Sequence, residues 1–318
     1  METPLLTRAS RSRSPRVPTR GRLFTVLGFI VLILIWGSFP VAAKLGVEQA
    51  PPLLFSSMRF LLATLLMALV TVVQRQKLWI APKQHLHIFL VSLLMVGIPS
   101  SIFFAAAPYA PVGVLTLMWS TTPLFTSLFN FGGAGEARGW RLLASLLVGL
   151  LGIIIVLLGR IPFFPGTGSS TQLVMTGAAF VGELAVLASS AVYGLGLRLA
   201  KGNDANMPVS VLTTWQMFYT GVFVGLISLC FEHGYTLHFT MSLLGILLYL
   251  AIFCSCITFF LTFWLIRRIG AIRLAYSDFV IPGITLVLSF LLLSESLTVA
   301  KVCGFVLVML GCLLVQGG

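Results

Sequence analysis

The sequence predicts an all-α, polytopic membrane protein with ten transmembrane helices in two inverted five-helix repeats. Three observations lead to this fold class. The 318-residue chain is 58% hydrophobic and 9% charged, with a mean hydropathy of +1.06, whereas soluble domains are roughly 45–50% apolar and about 25% charged. Its apolar residues form runs of roughly the 17–25 residues that cross a bilayer. The runs also repeat in register along the chain.

The repeat is visible in residues that begin, break or end helices. At an offset of 159 residues the aligned pairs are Pro123 with Pro282, Glu136 with Glu295 and Gly152 with Gly311. At an offset of 157 they are Gly37 with Gly194, Ala43 with Ala200, Lys44 with Lys201 and Pro51 with Pro208. Internal duplication in a very apolar chain is typical of transporters built from repeats. We therefore predict a first repeat over residues 23–160 and a second over 175–316.

Two segments lie outside the repeats. Residues 1–22 contain six arginines among serines and prolines, with Glu2 as the only acid, so they cannot bury enough apolar area to fold. We expect a disordered basic arm on the cytoplasmic side, and a transit peptide is the alternative. Residues 161–174, rich in Gly and Ser, are predicted to be a flexible linker.

The apolar runs predict ten spans in chain order. They lie near 23–44, 53–73, 86–106, 112–131, 142–159, 176–199, 208–231, 241–264, 273–293 and 299–316. A count of nine is the alternative, because only the turn from Pro108 to Pro111 separates the third and fourth runs.

Charge predicts the orientation, because Lys and Arg in short loops stay on the cytoplasmic side. With the N terminus inside, sixteen Lys and Arg residues lie inside and three lie outside, namely Lys44, Arg160 and Lys301. Both termini are therefore predicted to be cytoplasmic, in the cell (inner or plasma) membrane. Five spans per repeat is an odd number, so the second repeat is inverted relative to the first. Inverted repeats predict a binding site at the midplane between them.

Several function classes are not supported by the residues. The net charge of +12 does not predict nucleic-acid binding, because the basic residues are spread over loops and the N-terminal arm. The five cysteines and four histidines form no metal or redox motif, and a phosphate-binding glycine-rich loop is missing. We expect no enzyme activity, no metal and no cofactor.

The two proline-containing spans predict part of a substrate cavity. In the fourth span, residues at three- and four-residue spacing form a stripe of Thr116, Trp119, Pro123, Thr126 and Asn130. The aligned stripe of the ninth span is Ala275, Asp278, Pro282, Thr285 and Ser289. Such a stripe faces protein or water, and each proline leaves a backbone carbonyl without its helical partner. The alternative is that the hydroxyl groups only join neighbouring helices.

Aromatic residues on three other spans extend the predicted cavity. Trp36 and Tyr193 align in the two repeats, each directly before a glycine, and Trp36 is too deep for an interfacial belt. On the eighth span, Tyr249, Phe253, Cys256 and Phe260 are predicted to share one helical face. This face could line the cavity, and the alternative is that it only packs against neighbouring helices. The predicted cavity residues are Trp36, Thr116, Trp119, Pro123, Tyr193, Tyr249, Asp278, Pro282 and Thr285.

Three ionisable residues, Arg59, Glu183 and Asp278, lie inside predicted spans, where a central charge costs about 2.5–3.5 kcal/mol. Arg59 and Glu183 are predicted at similar depth and are expected to pair, unless both reach water near the surface. Asp278 is the candidate for a coupling-proton site, unless Arg273 holds it ionised in a structural pair. The two aligned glutamates that end their spans are expected to act at helix ends.

Two groups of residues match a family pattern. The opening group is Trp36-Gly37-Ser38, Lys44-Leu45-Gly46, Pro51-Pro52 and Arg59-Phe60, and the closing group is Pro282, Ser294-Glu295-Ser296-Leu297-Thr298, Gly304 and Gly311. Together they resemble the EamA-type transporters of the drug/metabolite transporter superfamily, over essentially everything after residue 22. The resemblance implies ten helices in two inverted repeats and a central cavity for a small solute, often an exported amino acid or other metabolite. Ser294 departs from the pattern, which has glycine there.

The function predicted from these observations is transport of a small molecule across a lipid bilayer by alternating access. Export of amino acids or related solutes is the preferred form, with protons as the candidate coupling ion and a monomer or homodimer as the assembly. The alternative is a membrane scaffold or receptor-like protein that keeps the fold without moving solute.

Overall fold

The computed structural model describes residues 19–129, 139–159, 177–200, 207–233, 239–269, 274 and 277–316, and over these residues it contains helices and no strand. The described helices are α1 (Thr19–Val47), α2 (Pro52–Val73), α3 (Pro82–Ser92), α4 (Ile98–Ala106), α5 (Val112–Trp119), α6 (Thr122–Phe129), α7 (Gly139–Leu158), α8 (Gly177–Ala200), α9 (Val209–Phe231), α10 (Met241–Ala251), α11 (Thr258–Ile269), α12 (Ser277–Leu293) and α13 (Val299–Gln316). Two π-helical turns, Leu93–Gly97 and Ile252–Ile257, join α3 to α4 and α10 to α11.

Eight stretches of the described chain are long and apolar enough to cross a membrane. They are Leu23–Val47, Pro52–Val73, Pro82–Ala106, Val112–Phe129, Gly139–Leu158, Gly177–Ala200, Val209–Phe231 and Met241–Ile266. Two shorter apolar helices, Ser277–Leu293 and Val299–Leu314, follow them. Each coincides with a predicted span to within a few residues, and the chain is a multi-pass membrane protein.

Parts of the prediction lie outside the described residues. These parts are most of the N-terminal arm, the linker 161–174, Asn130, Glu136, Arg273 and Ala275. α1 begins at Thr19, before the predicted boundary at residue 23.

Prolines mark where several helices begin. Pro51, Pro111 and Pro208 directly precede α2, α5 and α9, and Pro52 and Pro82 occupy the first turns of α2 and α3. Proline suits these positions because its fixed φ fits a helix start and the N–H that it lacks has no intrahelical partner there.

Helices that the sequence repeat aligns pack against each other. α2 lies along α9, and α7 lies along α13. The α7–α13 contact depends on glycine: a Cβ on Gly152 would lie 2.8 Å from the carbonyl oxygen of Gly304. Small residues let helix backbones approach closely in membranes. α1 packs against α12 and α8 packs against α4, α5 and α6, which brings the proline-containing helices to the centre.

Candidate substrate site

The fourth span breaks between α5 and α6, directly before Pro123. Pro123 has no N–H, so the carbonyl of Trp119 lacks its usual helical donor. Thr122 Oγ1 donates to this carbonyl at 2.7 Å, and Ser190 Oγ of α8 lies 3.5 Å from it. The helix is therefore interrupted before Pro123, and hydroxyl groups satisfy the carbonyl that the proline leaves without a donor.

Thr116 and Thr285 bond to backbone instead of lining a cavity. Thr116 Oγ1 donates to Val112 within its own helix at 2.8 Å, and only 7% of the residue is exposed. Thr285 is fully buried and donates to the Gly37 carbonyl of α1 at 2.8 Å. In this conformation the Thr285 hydroxyl therefore plays the helix-joining role that was the alternative for the stripe, whereas the Thr116 hydroxyl bonds within α5. Pro282 is also buried.

Two aligned glycines form the contacts between α1 and α12 and between α8 and α6. A Cβ on Gly37 would lie 2.8 Å from Cβ of Ile284, and a Cβ on Gly194 would lie 3.4 Å from the carbonyl carbon of Phe125. Ile284 and Phe125 are themselves aligned at the 159-residue offset. The two repeats therefore use the same glycine to meet the same position of the opposite repeat.

An aromatic chain connects two of the predicted cavity residues. Ring centroids lie 6.1 Å apart between Trp36 and Phe39, 5.7 Å between Phe39 and Phe103, and 5.5 Å between Phe103 and Trp119. Trp36 and Trp119, at the two ends, are partly exposed. The chain runs through α1, α4 and α5. Its middle rings, Phe39 and Phe103, are buried, so the two tryptophans are the rings that offer flat apolar surface to a solute.

Tyr249 faces α1, but the rest of its predicted face turns elsewhere. Its hydroxyl lies 2.5 Å from Ser38 Oγ, and its ring stacks on Phe253 at 5.4 Å. Cys256 instead faces α2, where its Sγ lies 4.0 Å from the Ala63 carbonyl. The single face predicted from α-helical spacing is wrong, because the π-helical turn Ile252–Ile257 shifts the register of the residues that follow.

Asp278 lies beside Tyr193, another predicted cavity residue. It is exposed in the first turn of α12, close enough to interact electrostatically with Tyr193 of α8 and Cys312 of α13. The Sγ of Cys312 donates to the carbonyl of Ser120, at the α5–α6 break, at 3.4 Å. The structure therefore brings Asp278, Tyr193 and the proline break together.

Arg59 and Glu183 do not form the predicted pair in this conformation. The guanidinium of Arg59 lies over Phe39, Phe60 and Phe104, and it interacts electrostatically with Cys254. α4 packs between α2, which carries Arg59, and α8, which carries Glu183. Similar depth in the bilayer therefore did not make the two residues neighbours.

Polar side chains fasten one end of the bundle, which we call the capped end. It comprises the last turns of α1, α4, α9 and α12 and the first turns of α2, α5 and α10. Glu295 accepts the N–H groups of Val112 and Gly113, which confirms its expected helix-end role. Lys44 donates to the carbonyls of Ala107 and Pro108, the latter at 3.0 Å.

A second glutamate at the capped end, Glu232, was missed by the sequence analysis. Its two carboxylate oxygens accept the N–H groups of Leu53 and Leu54 at 2.8 and 2.9 Å, and Ser228 Oγ donates to it at 2.7 Å. Glu232 has no acidic partner in the first repeat, so the alignment did not single it out. The sequence feature that could have identified Glu232 is the start of α2 at Pro52, because the first N–H groups of a helix need an acceptor.

A surface hollow of about 340 Å³ lies away from these residues. It is lined by Trp140, Arg141, Leu310, Leu313 and Leu314 on α7 and α13. None of the predicted cavity residues belongs to it, so it is not the candidate site.

Known proteins resemble this chain along nearly its whole length. It is 25% identical over 287 residues to the uncharacterized transporter YoaV of Bacillus subtilis (strain 168), covering 90% of this chain and 94% of that protein. It is 25% identical over 295 residues to a probable amino-acid metabolite efflux pump of Salmonella typhimurium (strain LT2), covering 89% of this chain and 92% of that protein. A solved crystal structure shares the fold with a TM-score of 0.61 at 18% identity, covering 92% of this chain and 96% of that chain.

The family assignment follows from a match in each half of the chain. The profile of the EamA-like transporter family matches residues 23–158 and 180–316. The matched segments contain the proline helices, the glycine contacts and the capped end described above. The resemblance stated from the sequence motifs is confirmed, and this multi-pass membrane protein belongs to the EamA-like transporter family.

Proposed function

We propose that this protein moves a small metabolite across the membrane by alternating access to a site between two inverted five-helix repeats. The reciprocal approach of Gly37 to Ile284 and of Gly194 to Phe125 carries the proposal. Through it, each repeat sets its first helix against the proline-containing helix of the other. Such an arrangement supports rocking of one repeat against the other, which alternates access to a midplane site.

The proposed topology has ten crossings. α12 and α13, at 17 and 18 residues, are near the roughly 20 residues that span about 30 Å of hydrocarbon. An even number of crossings places both termini on the same side of the membrane. The loops on that side carry most of the Lys and Arg residues, which supports assigning this side to the cytoplasm. The capped end then faces the outside of the cell membrane.

The conformation supports a state closed to the outside and accessible from the cytoplasm. Glu232, Glu295 and Lys44 join neighbouring helices at the capped end. Asp278, at the opposite end of the bundle, is exposed beside the proline break. The opposite state requires the capped-end bonds to open while the helices around Asp278 close.

Export of amino acids or related solutes is the proposed direction and substrate. The similarity to the Salmonella protein named a probable amino-acid metabolite efflux pump supports this choice, at 25% identity. We further propose a proton as the coupling ion, carried by Asp278, no enzymatic step, and a monomer or homodimer as the working assembly. The chain's own residues supply the helix breaks and the apolar surface that such transport needs.

Reconstituted transport tests the proposal. Purified protein in proteoliposomes would be given radiolabelled amino acids, nucleobases and quaternary amines, with and without an imposed pH gradient, in both directions. We expect gradient-dependent movement of the amino-acid class. If folded, inserted protein moves none of these solutes, the result would contradict transport and favour the scaffold alternative.

Pro123→Ala separates a permease from a scaffold. Alanine supplies an N–H that competes with Thr122 and Ser190 for the Trp119 carbonyl, which straightens the break. A permease is expected to lose transport rate in this variant without unfolding. Pro82→Ala at a helix start is the matched control, because there no helical hydrogen bond is at stake.

A further inference from the structure

Arg59 is a buried cation with few hydrogen bonds. Only 5% of its surface is exposed. Among the described residues, its one hydrogen bond runs from Nη2 to Ser255 Oγ at 3.5 Å, and its buried Nε has no partner. A guanidinium carries five N–H donors, so most of the donor capacity of Arg59 is unused within the described part of the chain.

Ser56 adds a second buried polar group on the same face of α2. It lies one turn before Arg59, at the three-residue spacing that places side chains side by side. The residue is fully buried, and its hydroxyl has no hydrogen-bond partner within the part of the chain that the structure describes. Two adjacent donor groups, each more than nine-tenths buried, therefore point to an acceptor that is supplied from outside the protein.

Cation–π contacts offset part of the cost of burying Arg59. Its guanidinium carbon lies 4.7 Å from the ring centroids of Phe39 and of Phe60. These contacts use the faces of the guanidinium and leave its in-plane N–H groups available. Buried polar groups in proteins are nearly always hydrogen-bonded, and an unpaired buried charge is strongly destabilising. An anion that accepts these N–H groups would remove that cost.

The π-helical turn Ile252–Ile257 places Ser255 against Arg59. Ser255 Oγ donates to the Leu250 carbonyl, five residues earlier, at 3.1 Å. The other π-helical turn, Leu93–Gly97, begins at the aligned position of the first repeat, 159 residues earlier. π-helical turns often mark functional sites, and this aligned pair is a feature that the α-helical sequence pattern did not predict.

The charge belongs to one repeat only. The residue aligned with Arg59 is Gln216, and the residue aligned with Ser255 is Val96. If Arg59 served only to stabilise the fold, we would expect the second repeat to carry a charged residue at the aligned position as well. A buried cation that the second repeat lacks at the aligned position suits recognition of one negative group.

Partly exposed polar residues connect Arg59 to the candidate substrate site. Cys254 is close enough to interact electrostatically with both Arg59 and Tyr249. Tyr249 OH lies 2.5 Å from Ser38 Oγ, and Tyr249 and Ser38 are both partly exposed. On the apolar side, Phe39 contacts Arg59 and belongs to the aromatic chain. Arg59 therefore borders the aromatic chain, which is partly exposed at Trp36.

We propose that Arg59, held in place by its hydrogen bond to Ser255, binds the carboxylate of the transported solute together with Ser56, while the partly exposed Trp36 contacts the apolar part of the solute. Carboxylates fit the planar fork of a guanidinium and can accept two hydrogen bonds from it. The inference rests on the proposed transport function and narrows its substrate class to small carboxylates that carry an apolar or aromatic group.

A matched pair of probes tests the inference. Phenylacetate and phenylacetamide share ring and chain length, and only the first is an anion. Binding to the full-length protein in nanodiscs would be measured by titration calorimetry. We expect wild-type protein to prefer phenylacetate. Arg59→Gln is expected to weaken phenylacetate binding by about 10- to 100-fold and to leave phenylacetamide binding unchanged.

Matched variants keep the test decisive. Arg268→Gln removes an exposed arginine that contacts Trp264 and is expected to change neither affinity. If Arg59→Gln does not fold, Ser255→Ala replaces it and is expected to weaken phenylacetate alone, by about 2- to 10-fold. Equal effects on both probes, no effect on either, or no binding of phenylacetate by wild-type protein would each overturn the inference.

Transport measurements separate this inference from the proposed function. Arg59-dependent carboxylate binding without any solute movement in proteoliposomes would contradict transport and leave the ligand class supported. Movement of amines or neutral solutes that Arg59→Gln does not alter would support transport and overturn the inference.

Discussion

The carboxylate of Glu295 accepts the backbone N–H of Val112 at 2.7 Å and so joins the end of α12 to the start of α5. The first N–H groups of a helix have no intrahelical partner, and the helix dipole favours a negative charge beside them. Glu232 bonds the start of α2 in the same way. Two glutamates therefore fasten the capped end through helix N-termini, and Lys44 lies close enough to Glu295 to interact with it electrostatically.

Glu295→Gln is expected to loosen the capped end. Glutamine keeps one acceptor oxygen but loses the charge, so we expect a loss of about 1–2 kcal/mol in the free energy of unfolding. A cysteine introduced at the buried Ala110 should then react faster with an impermeant maleimide. Unfolding and labelling rates would be compared with those of Glu48→Gln, an exposed glutamate at the same end. Identical behaviour of the two variants would contradict the role of Glu295.

Ser294→Gly is expected to stabilise the protein. Ser294 has a φ of 54°, in the left-handed region that favours glycine, and it stands where the family pattern has glycine. A left-handed conformation costs an L-residue roughly 1–2 kcal/mol, which the glycine variant recovers. Part of this recovered energy is offset because glycine loses more conformational freedom on folding. We expect a net increase of about 0.5–1 kcal/mol, read from thermal unfolding in detergent. Ser296→Gly is the control, and a less stable Ser294→Gly would disprove the strain.

The sequence predicted most of the fold because hydropathy alone determines where a span lies. The aligned glycines, which the sequence used only to establish the repeat, each allow a close helix approach at Gly37 and Gly194. Neighbours across the bundle were harder to predict. The predicted depth in the bilayer is similar for Arg59 and Glu183, but depth alone does not predict that α4 lies between the two helices that carry them.

Local helix irregularity explains the other differences. The pattern of the eighth span assumed 3.6 residues per turn, and the π-helical turn after Tyr249 breaks that spacing. Thr116 and Thr285 were expected to face a cavity, but a hydroxyl in an apolar helix bundle also bonds a nearby carbonyl readily. Sequence spacing does not distinguish these two uses of the same residue type.

Asp278→Asn is expected to uncouple transport from the proton gradient. Asp278 lies in the first turn of α12, next to Ser277 in the chain and close to Tyr193 and Cys312. Asparagine has similar size and polarity but cannot gain or lose a proton in this way. We expect gradient-driven accumulation to vanish while exchange of solute without a gradient continues. Ser277→Ala, which keeps the carboxyl group, should stay coupled. A variant that responds to the gradient like wild type would exclude Asp278 as the proton carrier.

Gly152→Ala is expected to destabilise the protein, whereas Gly245→Ala is not. A methyl group on Gly152 would lie 2.8 Å from the Gly304 carbonyl oxygen, closer than real contacts, so α7 and α13 must move apart. Overpacking of this kind costs about 1–3 kcal/mol. A methyl group on Gly245 of α10 would meet no described atom within 4 Å, so the higher helix propensity of alanine should leave stability equal or raised by up to about 1 kcal/mol. Thermal unfolding of both variants measures the difference. Both variants replace a helical glycine with alanine, so the change in helix propensity is the same in each. Only close packing of α7 on α13 therefore predicts that Gly152→Ala loses stability while Gly245→Ala does not.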